Sequence, residues 1–288
     1  MVWLLGRSRS QAVRTFTGNS VINDSSKPVR GSASAPSVDH FDGGRVSAPR
    51  ILLVGMEDAA EQPGGLNGYA YELSRSLRAR GVPVEAMVVS SGPGGVARLD
   101  SSLIRRLLAM AAEGRARLRA ADLVNTHFSL YGFPVLLAGR GAGVTKPHVV
   151  NFHGPWHAEM AVESPGRRLA AWLAKGVESY VYRRADEAVV LSREFGRILV
   201  GEFGVLPARV HVIRPGVDLE RFRPVDRQVA RRELGLDEAL VHFVAVRRLA
   251  KRMGLDVLLR AWAEASRGDA RLHLVGEGAE RAALEQLA

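Results

Sequence analysis

From Arg50 onward, short apolar runs alternate with longer stretches whose apolar residues recur at helical spacing. "RILLVGM" (50–56) leads through a glycine-rich turn to Leu66, Tyr69, Ala70, Leu73 and Leu77, one face of an amphipathic helix. "PVEAMVV" (83–89), "DLVNTH" (122–127), "HVVNFHG" (148–154), "EAVVLS" (187–192) and "RVHVI" (209–213) read as further strands with helical patterns between them. Parallel strands need a helical crossover to bring the chain back in the same direction, and a sheet covered on both faces makes its strands apolar throughout. The pattern predicts an α/β fold, with a Rossmann-like first domain over residues 49–224.

After "RPGVDLERFRP" (214–224) a second unit begins, expected over 225–288. "VHFVAV" (241–246) is a strand, Leu255, Leu258, Leu259 and Trp262 form a helical stripe, and "RLHLVGEG" (271–278) is a second strand and turn. Two strands and two helices are too few for an open parallel sheet with both faces covered. This domain is therefore expected either to be only partly present or to borrow its partner surface from elsewhere. Residues 1–48 hold nine serines and show no sustained apolar period, so they are expected to be a disordered extension. Their opening, "MVWLLGRSRSQAVRTF", is arginine-bearing and acid-poor as some transit peptides are, but its apolar part is too short for a secretion signal.

The net charge of +10 raises the question of nucleic acid. Only four of the 40 basic residues are lysine, at positions 27, 146, 175 and 251, and the arginines are scattered over several segments, not gathered into one arm. No nucleic-acid partner is expected. The chain has no cysteine, which excludes disulfides and thiolate-held metal, and no metal-ligand pattern is evident. No uncharged apolar run reaches the roughly 18–20 residues of a membrane span. Basic amphipathic helices around 103–119 and 167–184 are either solvated faces or a peripheral contact with an anionic membrane. The expected location is cytoplasmic, with that contact at the inner face.

Four places could meet a ligand. Gly64 and Gly65 lie where a strand hands over to a helix, so backbone N–H groups at a helix N-terminus could approach an anion, though an ordinary tight turn would also use glycine. Their spacing with Gly68 does not fit a dinucleotide fingerprint. In "FVAVRRLAKRMGLDVLLRAW" (243–262) Arg247, Arg248, Lys251 and Arg252 follow a strand, the end at which parallel sheets bind ligands. Arginine there could grip a diphosphate bidentately, or the turn could be a solvated basic loop. His153, closing "HVVNF", could meet a ligand hydroxyl or be bonded to backbone, and His127, closing "DLVNT", sits equivalently. Gly276 and Gly278 form a strand-to-helix turn able to approach a nucleotide, while Ser192 reads as a helix N-cap.

In order, "PGGLNGYAYELSRSLRARGVPV", "VVNFHGPW", "RADEAVVLSREF", "VIRPGVDLERFRP", "VRRLAKRMGLDVLLRAW" and "LHLVGEGAERAALEQLA" resemble the retaining GT-B glycosyltransferases of glycosyltransferase group 1, family 4. The resemblance implies two Rossmann-like domains facing a cleft, with a nucleotide-sugar donor held mainly by the second and a glycan, lipid-linked or small-molecule acceptor by the first. It implies retention at the anomeric carbon without cofactor or protein-held metal, so that positive groups stabilise the leaving diphosphate. By the same resemblance Gly65 matches the glycine loop near phosphate and acceptor, His153 the histidine approaching the donor sugar, and Arg248 the arginine contacting the diphosphate.

The sequence departs from that pattern at Met253, where the family's usual lysine stands, and at Arg247, where a glycine is usual. Either Arg252 or Lys251 replaces the lysine, or Arg248 carries more of the charge with help from Arg247. The region with the family's two donor-binding glutamates is not found before Ala288, so the chain reads as a truncated enzyme. The alternative is a catalytically inactive relative that binds a nucleotide or a protein.

Overall fold

The computed structural model describes residues 2–5, 48–92, 94–265 and 268–288. Two compact units divide them, residues 48–235 and residues 236–288 with the N-terminal segment. That segment contributes β1 (Val2–Leu5) to the second unit. The rest of the expected disordered extension lies outside the described residues apart from Ala48. The units divide after Gly235 rather than after Pro224, so residues 225–235 stay with the first unit behind the "RPGVDLERFRP" stretch. Its Asp218 reaches back to Arg75 of the first unit at 3.8 Å.

The first unit runs β2 (Ile51–Glu57), α1 (Gly65–Ala79), β3 (Val84–Val89), α2 (Leu103–Ala120), β4 (Leu123–Thr126), α3 (Ser129–Gly141), β5 (His148–Phe152), α4 (Trp156–Glu163), α5 (Arg168–Arg183), β6 (Glu187–Val190), α6 (Arg193–Phe203), β7 (Val210–Val212) and α7 (Arg227–Glu233). Its six strands are all parallel in the order β3-β2-β4-β5-β6-β7. Successive residues of β2 point to opposite faces, and both faces are covered. Leu52 and Val54 pack with Met110, Tyr131 and Val135 of α2 and α3, whereas Ile51 and Leu53 pack with Ala70 and Leu77 of α1. This is why "ILLV" has no polar alternation. A second core, with Phe152, Val181, Leu199 and Phe203, joins β5 and β6 to α5 and α6. Helices α2 and α3 pack closely at Gly114, where a Cβ would stand 2.9 Å from a Val135 methyl. Ser192 caps α6 by accepting from the Phe195 N–H at 3.1 Å.

The second unit is a three-stranded parallel sheet, β1-β9-β8, from β8 (Val241–Val246) and β9 (Ala270–Val275), with helices α8 (Leu255–Ala265) and α9 (Arg281–Leu287). Val2 through Leu5 pair in register with Leu272 through Val275. Leu249, Leu255, Leu259, Leu272, Leu274 and Leu284 form its core. Phe243, Val244 and Val246 of β8 are exposed.

Candidate active site

Strands β2 and β4 are neighbours, yet the helices that follow them, α1 and α3, cover opposite faces of the sheet. The connections that leave their carboxyl ends therefore diverge, and such a switch point is where open parallel sheets bind ligands. Gly64, Gly65, His127 and, one strand further along, His153 all lie at this edge.

Gly64 is the N-cap of α1, in extended backbone and with no side chain to occupy the N–H groups of the first turn. A Cβ at Gly65 would meet nothing within 4 Å, so the space in front of the turn is open. Asn67, buried on the first turn, braces the preceding loop. Its Oδ1 accepts from the Glu57 N–H at 3.2 Å and its Nδ2 donates to the Gln62 carbonyl at 2.9 Å. Glu61 in that loop accepts from Ser90 Oγ and from the Ser91 and Gly92 N–H groups at 3.0 and 2.9 Å. The Ser90 hydroxyl, ahead of these amides, holds its carboxyl below the usual value.

The two histidines are in contact. His127 Nδ1 lies 3.2 Å from His153 Nε2, and the rings are stacked at 5.5 Å between centroids. Behind them Asn151 Nδ2 donates to Asn125 Oδ1 at 2.7 Å and lies 3.5 Å from His127 Nε2. Tyr69 of α1 donates its hydroxyl to Asn151 Oδ1 at 3.5 Å and sets its ring edge against His153, 5.1 Å between centroids. Through Tyr69 the helix that starts at the glycine turn is thus packed onto the histidine pair. Burial lowers His153 to about 4. Burial, with the neighbouring His153 second, carries His127 well below the ordinary imidazole value. Both rings are neutral near pH 7, and burial raises Tyr69, keeping its hydroxyl a donor.

The turn that carries His153 is held from the other side. Glu178 of α5 is 0% exposed and accepts four hydrogen bonds. These come from the Trp156 and His157 N–H groups at 2.8 and 3.1 Å, His157 Nδ1 at 2.7 Å and the Tyr182 hydroxyl at 3.1 Å. It supplies the cap that Pro155 cannot give to α4.

In the second unit the turns after β8 and β9 are laced together. Arg247 N–H bonds to Val275 O at 3.0 Å, Leu249 N–H to Glu277 O at 2.8 Å and Glu280 N–H to Leu249 O at 3.0 Å. A Cβ at Gly276 would overlap the Arg247 carbonyl oxygen, and one at Gly278 the Leu249 carbonyl. The room at these glycines is taken by the neighbouring turn's backbone. The lacing presents Arg247, Arg248 and Lys251 as exposed side chains with no ion pair or hydrogen bond among the described residues. Arg252 is half-buried and has a partner. Met253 packs against the Leu249–Leu255 core, so this position contributes apolar contact where the family pattern has a charge.

The sequence reading thus named Gly64, Gly65, His127 and His153, which one sheet edge gathers, and Arg247, Arg248, Lys251, Arg252, Gly276 and Gly278, which two adjoining turns gather. It missed Asn67, Tyr69, Asn125, Asn151 and Glu178. A signal existed for two of them. Asn-Thr-His at 125–127 and Asn-Phe-His at 151–153 place asparagine and histidine two apart, on one face of each of two largely apolar strands.

The model of Glycosyltransferase Family 4 matches residues 63–221. The chain is 33% identical over 227 residues to D-inositol 3-phosphate glycosyltransferase 1 of Catenulispora acidiphila, with 72% of this chain and 54% of that protein covered. It is 31% identical over 251 residues to the D-inositol 3-phosphate glycosyltransferase of Geodermatophilus obscurus, covering 76% and 55%. The chain spans about half the length of these curated relatives. Among solved structures, Anabaena HepE in complex with UDP and glucose superposes with a TM-score of 0.57 at 16% identity, over 83% of this chain and 65% of that one. Sucrose-phosphate synthase from Thermosynechococcus elongatus gives 0.63 at 18%, over 83% and 66%. At such identities the likeness establishes the fold, which is GT-B. The chain belongs to the family 4 glycosyltransferases.

Proposed function

We propose that the protein transfers a sugar from a nucleotide-diphosphate donor to an acceptor with retention of anomeric configuration. The observation that carries this reading is the laced turn holding Arg247 and Arg248 exposed, with no ion-pair partner among the described residues, at the carboxyl end of β8, beside a family assignment that rests on the first unit. HepE, a fold neighbour, was solved with UDP and glucose, in keeping with such a donor. Arg248, aided by Arg247 and Lys251, stabilises the leaving diphosphate, with no metal held by the protein and no cofactor. Gly65 and the N-terminus of α1 face phosphate and acceptor, and His153 meets the donor sugar. The test is release of nucleoside diphosphate by the protein with a panel of nucleotide sugars, with product configuration read by NMR. Arg248→Ala is expected to slow release by a factor on the order of 100 to 1,000. Undiminished release would remove Arg248 from this role.

The acceptor is a glycan, a lipid-linked sugar or a small molecule. The relatives are named for D-inositol 3-phosphate, which makes it the first small molecule to test. A cytoplasmic protein with peripheral contact at the inner membrane face completes the reading. It is supported by Ile104 and Leu108 of α2 and Leu169, Trp172 and Leu173 of α5, all exposed and interspersed with Arg105 and Arg168. No helix among the described residues is long and apolar enough to cross a membrane. The inward packing of Met253 favours one competing reading, a relative that binds nucleotide without transferring sugar. Detectable transfer excludes it.

A further inference from the structure

The histidine pair has a direction. A hydrogen bond between two neutral imidazoles needs a hydrogen on one facing nitrogen and a lone pair on the other. The 3.2 Å contact joins His127 Nδ1 to His153 Nε2 and leaves open which donates. The asparagines decide. Asn151 receives the Tyr69 hydroxyl on Oδ1, so its amide nitrogen is the group that faces Asn125 Oδ1 and His127 Nε2. An amide nitrogen only donates, so His127 Nε2, 3.5 Å from it, is placed to accept. Its ring hydrogen is then on Nδ1 and is given to His153 Nε2. His153 in turn carries its hydrogen on Nδ1. That nitrogen has no partner among the described residues and is not among the buried unpartnered atoms.

We propose that Asn151 and His127 are positioning residues that fix the tautomer of His153, so that its open Nδ1 presents a hydrogen-bond donor to a ligand oxygen. The inference rests on the sugar-transfer reading only in naming that ligand. The matching group is an electron-rich oxygen, a sugar hydroxyl or a phosphoryl oxygen, and not a hydroxyl whose proton must be taken. Free imidazole prefers its hydrogen on Nε2, so the arrangement holds His153 in the less common form. Burial of both rings supports this by keeping them neutral, since a charged His153 would set two N–H groups against each other.

The test is a long-range proton–nitrogen correlation spectrum of the protein labelled with nitrogen-15 in its histidine rings, recorded near pH 7. The expected result for His153 is a protonated Nδ1 and a bare Nε2, with the same pattern for His127. His153 with its hydrogen on Nε2 in the wild-type protein would overturn the proposal. In His127→Phe the donor is gone, and His153 should shift toward the Nε2–H form. An unchanged His153 there overturns the role of His127. Should that variant not fold, Asn151→Leu frees His127 Nε2 and is expected to mix the tautomers of both rings, an unchanged pattern again being the refuting result. The readout does not depend on turnover. Nδ1–H on His153 without transfer from any donor would sink the function and leave this inference standing, and Nε2–H with transfer would do the reverse.

Discussion

Glu178 offers the sharpest test of how the turn bearing His153 is held. Glu178→Ala removes the acceptor for two backbone N–H groups at the start of α4, for His157 Nδ1 and for the Tyr182 hydroxyl. Tyr182 is 4% exposed, and burial, the largest cause holding its ionisation well above the usual phenol value, persists in the variant, so it remains a donor in search of an acceptor. Each buried group left unpaired costs about 1–3 kcal/mol. Trp156 and His157 are half-buried, so water recovers part of their share. The sum is about 3–5 kcal/mol, in the range for breaking a buried charged network. For a unit spanning residues 48–235, about 2–4 °C per kcal/mol applies, which gives a fall in Tm of about 6–20 °C. Differential scanning calorimetry on wild type, Glu178→Ala and Glu178→Gln measures it. The glutamine keeps one carbonyl acceptor and the volume, so it should lose about half as much. An alanine variant melting within about 2 °C of wild type would refute the account, because the four bonds could not then be holding the turn.

Acid should weaken the first unit through its buried histidines. His148 and His153 fall to about 4 in the fold from an ordinary value of 6.5, both chiefly by burial. Between these values the unfolded chain binds protons that the folded one does not, so their stabilising contribution is complete above about pH 6.5 and is lost as pH falls toward 4. The unfolding free energy from urea melts should drop over that window by up to about 1.4 kcal/mol per pH unit for each ring, and a flat profile would contradict their burial. Gly278→Ala forces a Cβ into the Leu249 backbone and should destabilise the second unit by more than about 2 kcal/mol, read as a lowered melt or loss of the folded fraction. A neutral effect would mean the turns are not laced as described. Replacing Leu169 and Trp172 by alanine should cut sedimentation with phosphatidylglycerol vesicles by about tenfold or more, since each large apolar side chain withdrawn from water contributes about 1.5–3 kcal/mol. No binding by the wild-type protein would end the peripheral-contact reading.

Much of this protein follows from local pattern. A parallel strand buried on both faces must be apolar at every position, so "ILLV", "AMVV" and "AVV" announce their sheet without help from the rest of the chain. The same holds for Ser192 as a cap and for the basic turn after "VHFVAV", because a helix start and a strand end are marked within a few residues. The meaning of individual residues at those ends was not local. Gly276 and Gly278 read as room for a nucleotide, and the fold fills that room with the backbone of Arg247 and Leu249. Met253 read as a lost charge, and packing makes it part of a core. His127 and His153 are 26 positions apart, and only the pairing of β4 with β5 sets one ring against the other and puts Asn151 behind both. Glu178 lies 22 residues from the N–H group it caps, at a separation no sequence period reports. Periodicity decides which face a side chain takes, whereas its charge, tautomer and partners depend on what long-range packing brings within about 3 Å.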